Sequence, residues 1–175
     1  MKIPSHGKYA WLPKLYDAIS ALKPKKIIEF GPADGMTTIT MACALKDNKI
    51  NGKIKSYDVW NDNYWGNQYR CQNNIDAWGV RDYVELTHLD FFEWEQEKFD
   101  FMYFDIDNDG DKILHLYEMV KEQIDMSGAV VYFEGGSMER DKFVKDGLTT
   151  MNEVKPKIGY ELITENVKYS LSSIS

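Results

Sequence analysis

The sequence predicts an α/β protein built on a doubly wound sheet of seven mostly parallel strands that ends in an antiparallel hairpin. Two observations predict this fold class. Short apolar runs alternate with amphipathic segments along most of the 175 residues, and such runs are typical of a parallel sheet that helices cover on both faces. Near the end of the chain, two strand-like runs instead flank a Thr-Glu-Asn turn, which indicates a hairpin.

The predicted elements follow one another in a regular order. Apolar residues recur at helical spacing from Leu12 to Leu22 and predict a helix over 11–23, within an N-terminal helical segment, 1–24. Short apolar or aromatic runs predict strands over 25–30, 53–60, 82–89, 99–105 and 128–134. Amphipathic spacing predicts helices over 36–46, part of 66–78, 112–124 and 137–151. This is the order of a Rossmann-like sheet in a single domain, 1–175.

The charge of the chain limits its partners. Its 21 basic and 28 acidic residues give a formal net charge of −7, which repels phosphate backbones and anionic membranes and makes nucleic acid an unfavourable partner. No stretch approaches about 18 consecutive apolar residues, so no membrane span is expected. Cys43 and Cys71 have no metal-ligand spacing, and the first residues lack an apolar leader. We therefore expect a reduced, soluble, cytoplasmic protein.

Acidic residues gather at the ends of the predicted strands. In open α/β sheets, ligands bind at the carboxyl ends of the strands, where the strand order reverses. Because parallel strands end at the same edge of a sheet, these residues are expected to define one site there. They are Glu29, Asp58, Asp90, Asp105 and Glu134.

A glycine-containing loop follows the first strand and opens the next helix. The segment is EFGPADGMTTIT, 29–40, in which Gly31 allows a sharp turn and Gly35 allows a close approach of the helix to a ligand. Position 33 is alanine and position 34 is aspartate, so the G-x-G-x-x-G fingerprint of nicotinamide dinucleotide binding is missing. The spacing E-x-G-x-x-x-G resembles motif I of class I S-adenosylmethionine-dependent methyltransferases, and the resemblance extends from about residue 25 to the end.

That resemblance implies a set of cofactor contacts. Glu29, Gly31 and Gly35 would line the methionine end of S-adenosylmethionine. Asp58 would accept hydrogen bonds from the ribose hydroxyls, since a vicinal diol offers two donors to a carboxylate. The adenine amino group would contact Asp90, with Phe91 packing against the ring. The alternative is a doubly wound domain that binds another nucleotide, because fold alone does not fix function.

The segment FDIDNDGDKI, 104–113, resembles the opening of an EF-hand calcium loop through Asp105, Asp107 and Asp109. The loop also needs an apolar residue at its eighth position and a glutamate at its twelfth, where this chain has lysine and leucine. A predicted strand rather than a helix precedes it. A calcium loop is therefore disfavoured, and Asp109 or Asp111 is expected to cap the following helix.

Together with GAVVYFEGG, 128–136, the same segment resembles the small O-methyltransferases of the methyltransferase 24 type. In their metal-dependent branch, carboxylates at the ends of strands four and five bind a divalent ion such as Mg²⁺. The resemblance places Asp105 and Glu134 as metal ligands, although Gly135 occupies the position of a third. It also makes Asp105, Asp107 and Glu134 the candidate catalytic residues. A metal would lower the pKa of an acceptor hydroxyl, and without one Asp107 or Glu134 would act as the general base.

The acceptor is expected to be a small molecule or a sugar. The chain lacks the D/N-P-P-Y/F motif that amino-methylating enzymes of nucleic acids carry after strand four, which favours a hydroxyl acceptor. Two other functions stay open: an enzyme of the same fold that acts on the cofactor itself, as a lyase or hydrolase, and a binding module without catalysis. The aromatic residues of 58–71 fit either a lid or an amphipathic helix, and assembly into a homo-oligomer is compatible with the sequence.

Overall fold

The computed structural model describes residues 10–60 and 66–175. The strands are β1 Lys26–Phe30, β2 Lys53–Asp58, β3 Val84–His88, β4 Phe101–Phe104, β5 Val130–Glu134, β6 Glu161–Leu162 and β7 Leu171–Ile174. The helices are α1 Leu12–Leu22, α2 Met36–Asp47, α3 Gln68–Ala77, α4 Gly110–Ser127, α5 Met138–Asp141 and α6 Met151–Ile158, with 3-10 turns at Arg81–Tyr83 and Phe91–Glu93.

The seven strands form one sheet in the order β3-β2-β1-β4-β5-β7-β6. The first five strands run parallel, whereas β7 pairs antiparallel with both β5 and β6. The predicted doubly wound sheet with a C-terminal antiparallel hairpin is therefore confirmed. Strand order reverses between β1 and β4, and this switch point is where a ligand crevice is expected.

Helices cover both faces of the sheet and create two apolar cores. On one face α1 and α2 pack over the sheet, and Trp11 stacks on Tyr103 with 5.6 Å between ring centroids. On the other face α4 and α6 cover the strands, and Phe30 makes edge contacts with Phe91 and Phe104. Strands buried on both faces explain the continuous apolar runs from which the parallel sheet was predicted.

The predicted helix over 137–151 is wrong. The structure has instead α5, a connection, and α6. Gly147 lies in that connection at φ +86, a conformation that glycine adopts readily. Thr150 then begins α6 with a capping box, in which its hydroxyl accepts from the amide of Glu153 while the Glu153 carboxylate accepts from the amide of Thr150. The sequence signature T-x-x-E marked this boundary.

The turn of the C-terminal hairpin is longer than the sequence suggests. Residues 163–170 connect β6 to β7, and the Thr-Glu-Asn triplet lies inside this loop. The loop contacts the start of α5 through the hydroxyl of Ser137, which donates to the main-chain oxygen of Val167 over 2.5 Å. Among residues 10–60 and 66–175, no helix is long and apolar enough to cross a membrane.

Gly31 is the point at which the β1 loop and the end of β4 come closest. A methyl group on Gly31 would lie 2.0 Å from the main-chain oxygen of Asp105, and the residue has φ +79. Any larger residue must separate the two strand ends or move the loop. The glycine therefore brings the β1 loop directly onto the segment that follows β4.

We expect Gly31→Ala to destabilise the protein by more than Gly147→Ala, measured as the free energy of unfolding in urea. Gly147 has φ +86 and open space around it, so its substitution reports only the strain of the left-handed conformation, about 1–2 kcal/mol. Gly31→Ala adds a main-chain collision to the same strain. Equal losses of stability in the two variants would contradict the close approach.

Candidate functional site

A cavity of about 770 Å³ opens at the carboxyl ends of the parallel strands, beside the switch point. Its wall includes the loops after β1, β2, β3, β4 and β5, and also the chain between α5 and α6 and the loop before β7. This volume is within the range of small-molecule and cofactor sites. The cavity therefore brings together four of the five strand-end residues that the sequence predicted to meet, namely Asp58, Asp90, Asp105 and Glu134.

Asp58 holds two of these loops in place. One carboxylate oxygen accepts from the amide of Ala33 in the β1 loop over 3.1 Å, and the other accepts from the amide of Trp60 over 3.0 Å. The side chain lies on the cavity wall and is half-buried. A carboxylate offers about four acceptor positions, so two further donors, such as those of a diol, can still be accommodated.

Glu29 lies outside the cavity wall that the resemblance predicted for it. It is fully buried, and its carboxylate accepts hydrogen bonds from the hydroxyls of Thr37, Thr38 and Ser56, with 2.6 Å to each of the last two. Burial raises the pKa of this carboxyl, while the three hydroxyls oppose that shift. Its position shows that Glu29 ties the first turn of α2 to β2 and so shapes the β1 loop from behind.

Gly35 is also placed behind the cavity. It precedes α2 at φ +90, and a methyl group there would lie 3.0 Å from the sulfur of Cys71 in α3. Its amide donates to the oxygen of Pro32 over 2.7 Å, which closes the β1 loop. Gly35 thus permits the turn and the packing of α3, whereas Gly31 lines the cavity.

The segment after β3 contributes an acidic residue and an exposed ring. Asp90 is exposed on the cavity wall, and one of its carboxylate oxygens accepts from the amide of Phe92 over 2.9 Å. Phe91 also touches the cavity but is only 3% exposed, because its ring packs into the core against Phe30. The exposed ring is that of Phe92, at 62%, which sequence reasoning missed.

Trp60 covers the β1 loop. Its indole nitrogen donates to the main-chain oxygen of Ala33 over 3.1 Å, its side chain is buried, and it lines the cavity. Tyr69 is 74% exposed in α3. The other two aromatic residues of the predicted lid or helix, Tyr64 and Trp65, lie outside the described residues. Of the two described aromatic residues of the segment 58–71, Trp60 lines the cavity and Tyr69 does not.

The aspartates after β4 have separate roles. Asp105 continues the strand, since its amide donates to the oxygen of Phe30 over 3.0 Å, and it lines the cavity. Asp107 also lines the cavity and accepts from the ammonium of Lys112 over 2.9 Å. Asp109 caps α4 by accepting from the amide of Asp111 over 3.0 Å, as predicted. With β4 before it, this segment is not an EF-hand.

Glu134 forms a two-pronged ion pair with Arg140. The guanidinium donates to both carboxylate oxygens, with contacts of 3.0, 3.2 and 3.1 Å, and the glutamate is 8% exposed. Such pairs are strong and geometrically specific. The guanidinium of Arg140 is therefore occupied by a protein carboxylate.

The residues present do not fit a divalent metal ion. Of the two predicted ligands, Glu134 already neutralises Arg140, and a glycine follows it. Across residues 10–60 and 66–175, no group of three histidine, cysteine or acidic side chains is arranged to hold a metal. A hard cation such as Mg²⁺ would need several oxygen ligands here. The metal site is therefore not supported by the donor set.

Sequence reasoning also missed the basic and apolar residues that complete the wall. These are Lys112, Phe143, Val144, Lys145, Leu148, Lys168 and Tyr169. Most lie in the connection between α5 and α6 or in the loop before β7, where no periodic pattern indicated a function. The only available signal was their position after strands β5 and β6 in the chain.

The seven-stranded sheet, parallel except for its C-terminal strands, has the strand order of the Rossmann-like fold of class I S-adenosylmethionine-dependent methyltransferases. A family model described as a methyltransferase domain matches residues 28–134, more than half of the chain. This protein belongs to that family of methyltransferase domains. No curated protein matches the sequence significantly.

Solved structures share this fold at low sequence identity. A cofactor-bound protein from MTB aligns with a TM-score of 0.72 and 14% identity, over 99% of this chain and 81% of its own. The O-methyltransferase of Bacillus cereus, solved with SAH, aligns with a TM-score of 0.67 and 13% identity, over 99% of this chain and 83% of its own. TomG of Streptomyces achromogenes is an O-methyltransferase of tomaymycin synthesis and was solved with SAM. It aligns with a TM-score of 0.67 and 16% identity, over 98% of this chain and 81% of its own.

Burial of Glu29 predicts a specific pH dependence. Because its pKa is raised in the folded state, its contribution to stability is fully present below the ordinary value of 4.5 and is lost as the pH rises through the folded-state pKa. We expect Glu29→Gln to remove this decline of the unfolding free energy, measured by urea denaturation between about pH 4 and about pH 8.

The control for this measurement is Glu122→Gln, which changes an exposed glutamate of α4. It should leave the pH dependence of the wild type unchanged. If the unfolding free energy of Glu29→Gln declined with rising pH as it does in the wild type, the decline would not come from Glu29, and its pKa would not be raised by burial.

Proposed function

We propose that this protein is an S-adenosylmethionine-dependent methyltransferase that transfers the methyl group to a hydroxyl of a small molecule or sugar. The observation that supports this best is one continuous cavity, about 770 Å³ in volume, whose wall contains Gly31, Asp58 and Asp90 together with Asp105 and Asp107. That volume accommodates a cofactor and a small acceptor side by side.

The cofactor would lie along the ends of β1, β2 and β3. Its methionine part would follow Gly31, which lines the cavity and whose missing side chain lets the β1 loop lie against the main chain of Asp105. The ribose hydroxyls would donate to Asp58, and the adenine amino group to Asp90, with the exposed ring of Phe92 beside the base. Glu29 and Gly35 would act indirectly, by fixing the loop that carries Gly31.

The chemical step is an in-line displacement. The acceptor oxygen attacks the methyl carbon, the bond between that carbon and the sulfonium sulfur breaks, and S-adenosylhomocysteine leaves with the electron pair. The hydroxyl proton must go to a base. Alignment of the two reactants in one cavity supplies much of the rate, because it replaces an encounter in solution.

Of the three candidate catalytic residues, Asp105, Asp107 and Glu134, we assign Asp107 as the general base. Both oxygens of Glu134 are held by Arg140, and Asp105 lies against the β1 loop, where it is suited to position the reacting groups. Asp107 lines the cavity and its side chain is 40% exposed, so an acceptor can reach it. The ammonium of Lys112, 2.9 Å away, and the amide of Asn108 both donate to this carboxylate and hold it at the cavity wall.

We expect Asp58→Ala to weaken S-adenosylhomocysteine binding by about 1–3 kcal/mol in calorimetric titration, because hydrogen bonds to a charged group are lost. Asp58→Asn keeps one acceptor oxygen and should lose less. The control, Asp125→Ala, changes an exposed residue of α4 away from the cavity. If a folded Asp58→Ala protein bound S-adenosylhomocysteine with the affinity of the wild type, Asp58 would not be the residue that binds the ribose hydroxyls.

Turnover of S-adenosylmethionine in the presence of EDTA tests the transfer chemistry. We expect activity to survive EDTA, because the donor set does not fit a metal. Asp107→Asn should lower kcat by about 100-fold or more while leaving cofactor affinity near that of the wild type. Asp125→Asn serves as the control for the change of charge.

Three outcomes would contradict this account. Loss of all activity in EDTA would indicate that the methyl transfer depends on a metal ion. Consumption of the cofactor without any acceptor would favour a lyase or hydrolase acting on the cofactor itself. Cofactor binding that never leads to turnover, with Asp107→Asn indistinguishable from the wild type, would favour a binding module.

A further inference from the structure

Positive charge collects at one part of the cavity wall, although the protein carries a net charge of −7. Four basic side chains line the cavity, and two of them are neutralised by the carboxylates of Asp107 and Glu134. The remaining two are Lys145, in the connection between α5 and α6, and Lys168, in the loop before β7. The whole wall carries five acidic and four basic side chains, so the excess of positive charge is local, at the part of the wall formed by these two lysines.

Neither lysine forms an ion pair with any residue of 10–60 or 66–175. The ammonium of Lys168 instead lies 3.8 Å from the ring centroid of Phe143 and 5.4 Å from that of Tyr169. Contact with aromatic faces holds the cation in place without cancelling its charge. The wall thus presents a positioned cation with no carboxylate partner among the described residues.

Apolar surface surrounds these two cations. Phe143 is 52% exposed and Leu148 is 36% exposed, and both line the cavity together with Val144. Exposed aromatic and aliphatic side chains that border a cavity are typical of a wall that a ligand covers. The combination fits a ligand that has an apolar body and an anionic group.

The cofactor itself does not account for this part of the wall. In the proposed arrangement S-adenosylmethionine follows Gly31, Asp58 and Asp90, which come from the loops after β1, β2 and β3. The two lysines come from chain segments that follow β5 and β6, on the other side of the switch point. Their partner is therefore sought in the second substrate.

We propose that the methyl acceptor carries an anionic group, a carboxylate or a phosphate, on an apolar body, and that Lys145 and Lys168 bind this anion. The inference rests on the proposed function, since it assigns the second substrate of the same cavity. The anionic group is held at the lysines while the apolar body packs on Phe143 and Leu148. The acceptor hydroxyl then extends toward Asp107.

The test is calorimetric binding of three probes to the wild type, with and without saturating S-adenosylhomocysteine. The probes are para-hydroxybenzoate, phenyl phosphate and the neutral para-hydroxybenzamide. We expect at least one anionic probe to bind at least about fivefold more tightly than the amide. Tighter binding of the phosphate or of the carboxylate identifies which anion the acceptor carries.

Lys145→Met and Lys168→Met retain the aliphatic stems and remove the charges. Each substitution should lower the affinity for the anionic probe by about fivefold or more, without changing the affinity for the amide or for S-adenosylhomocysteine. Lys142→Met is the matched control: it lies in the same segment and pairs with Glu139 over 2.6 Å, but it does not line the cavity.

Equal affinities for the anionic and neutral probes, or no binding of either anion, would overturn the inference. So would an equal loss of S-adenosylhomocysteine affinity in the lysine variants, because the lysines would then serve the cofactor. Failure of the proposed function is distinguishable, since it appears as absence of S-adenosylhomocysteine binding to the wild type. If the wild type does not bind S-adenosylhomocysteine but still binds the anionic probes, the two lysines form an anion site that does not depend on the cofactor.

Discussion

The hydrogen bonds of Asp58 are the constraint on which the cavity depends. This one carboxylate accepts from Ala33 and from Trp60, so it joins the loop after β1 to the loop after β2. Trp60 reinforces the junction by donating from its indole nitrogen to Ala33. Behind this junction, buried Glu29 anchors the first turn of α2. Loop geometry at the β1 and β2 end of the cavity is thus set by carboxylates that accept from main-chain amides and hydroxyls.

The other end of the cavity is organised by ion pairs. Two of the acidic residues that gather there are held by basic partners from α4 and α5, namely Lys112 and Arg140. Such pairing lowers the repulsion between neighbouring carboxylates and positions them without a metal ion. Of the two carboxylates that suggest a metal site in the sequence, Asp105 and Glu134, the second has a protein cation as its partner in the fold.

Much of the fold could be predicted from the sequence because the strands are continuous apolar runs and the β1 loop has a distinctive glycine spacing. The helix boundary at Thr150 was missed, since its capping box lies inside a segment of helical composition. Sequence reasoning placed Asp58 and Asp105 at the cavity but could not foresee that Glu29 turns into the core. The lysines were missed because their proximity depends on long-range packing of irregular loops, which leaves no local pattern.

A crystal structure of the protein with S-adenosylhomocysteine bound would show where the cofactor lies in the cavity. We expect the homocysteine part along Gly31, the ribose hydroxyls within hydrogen-bond distance of Asp58, and the sulfur facing Asp105 and Asp107. The wall beside Lys145 and Lys168 should stay open for the acceptor. Binding of the adenosyl group at any other position, or a ribose without contact to Asp58, would contradict the account.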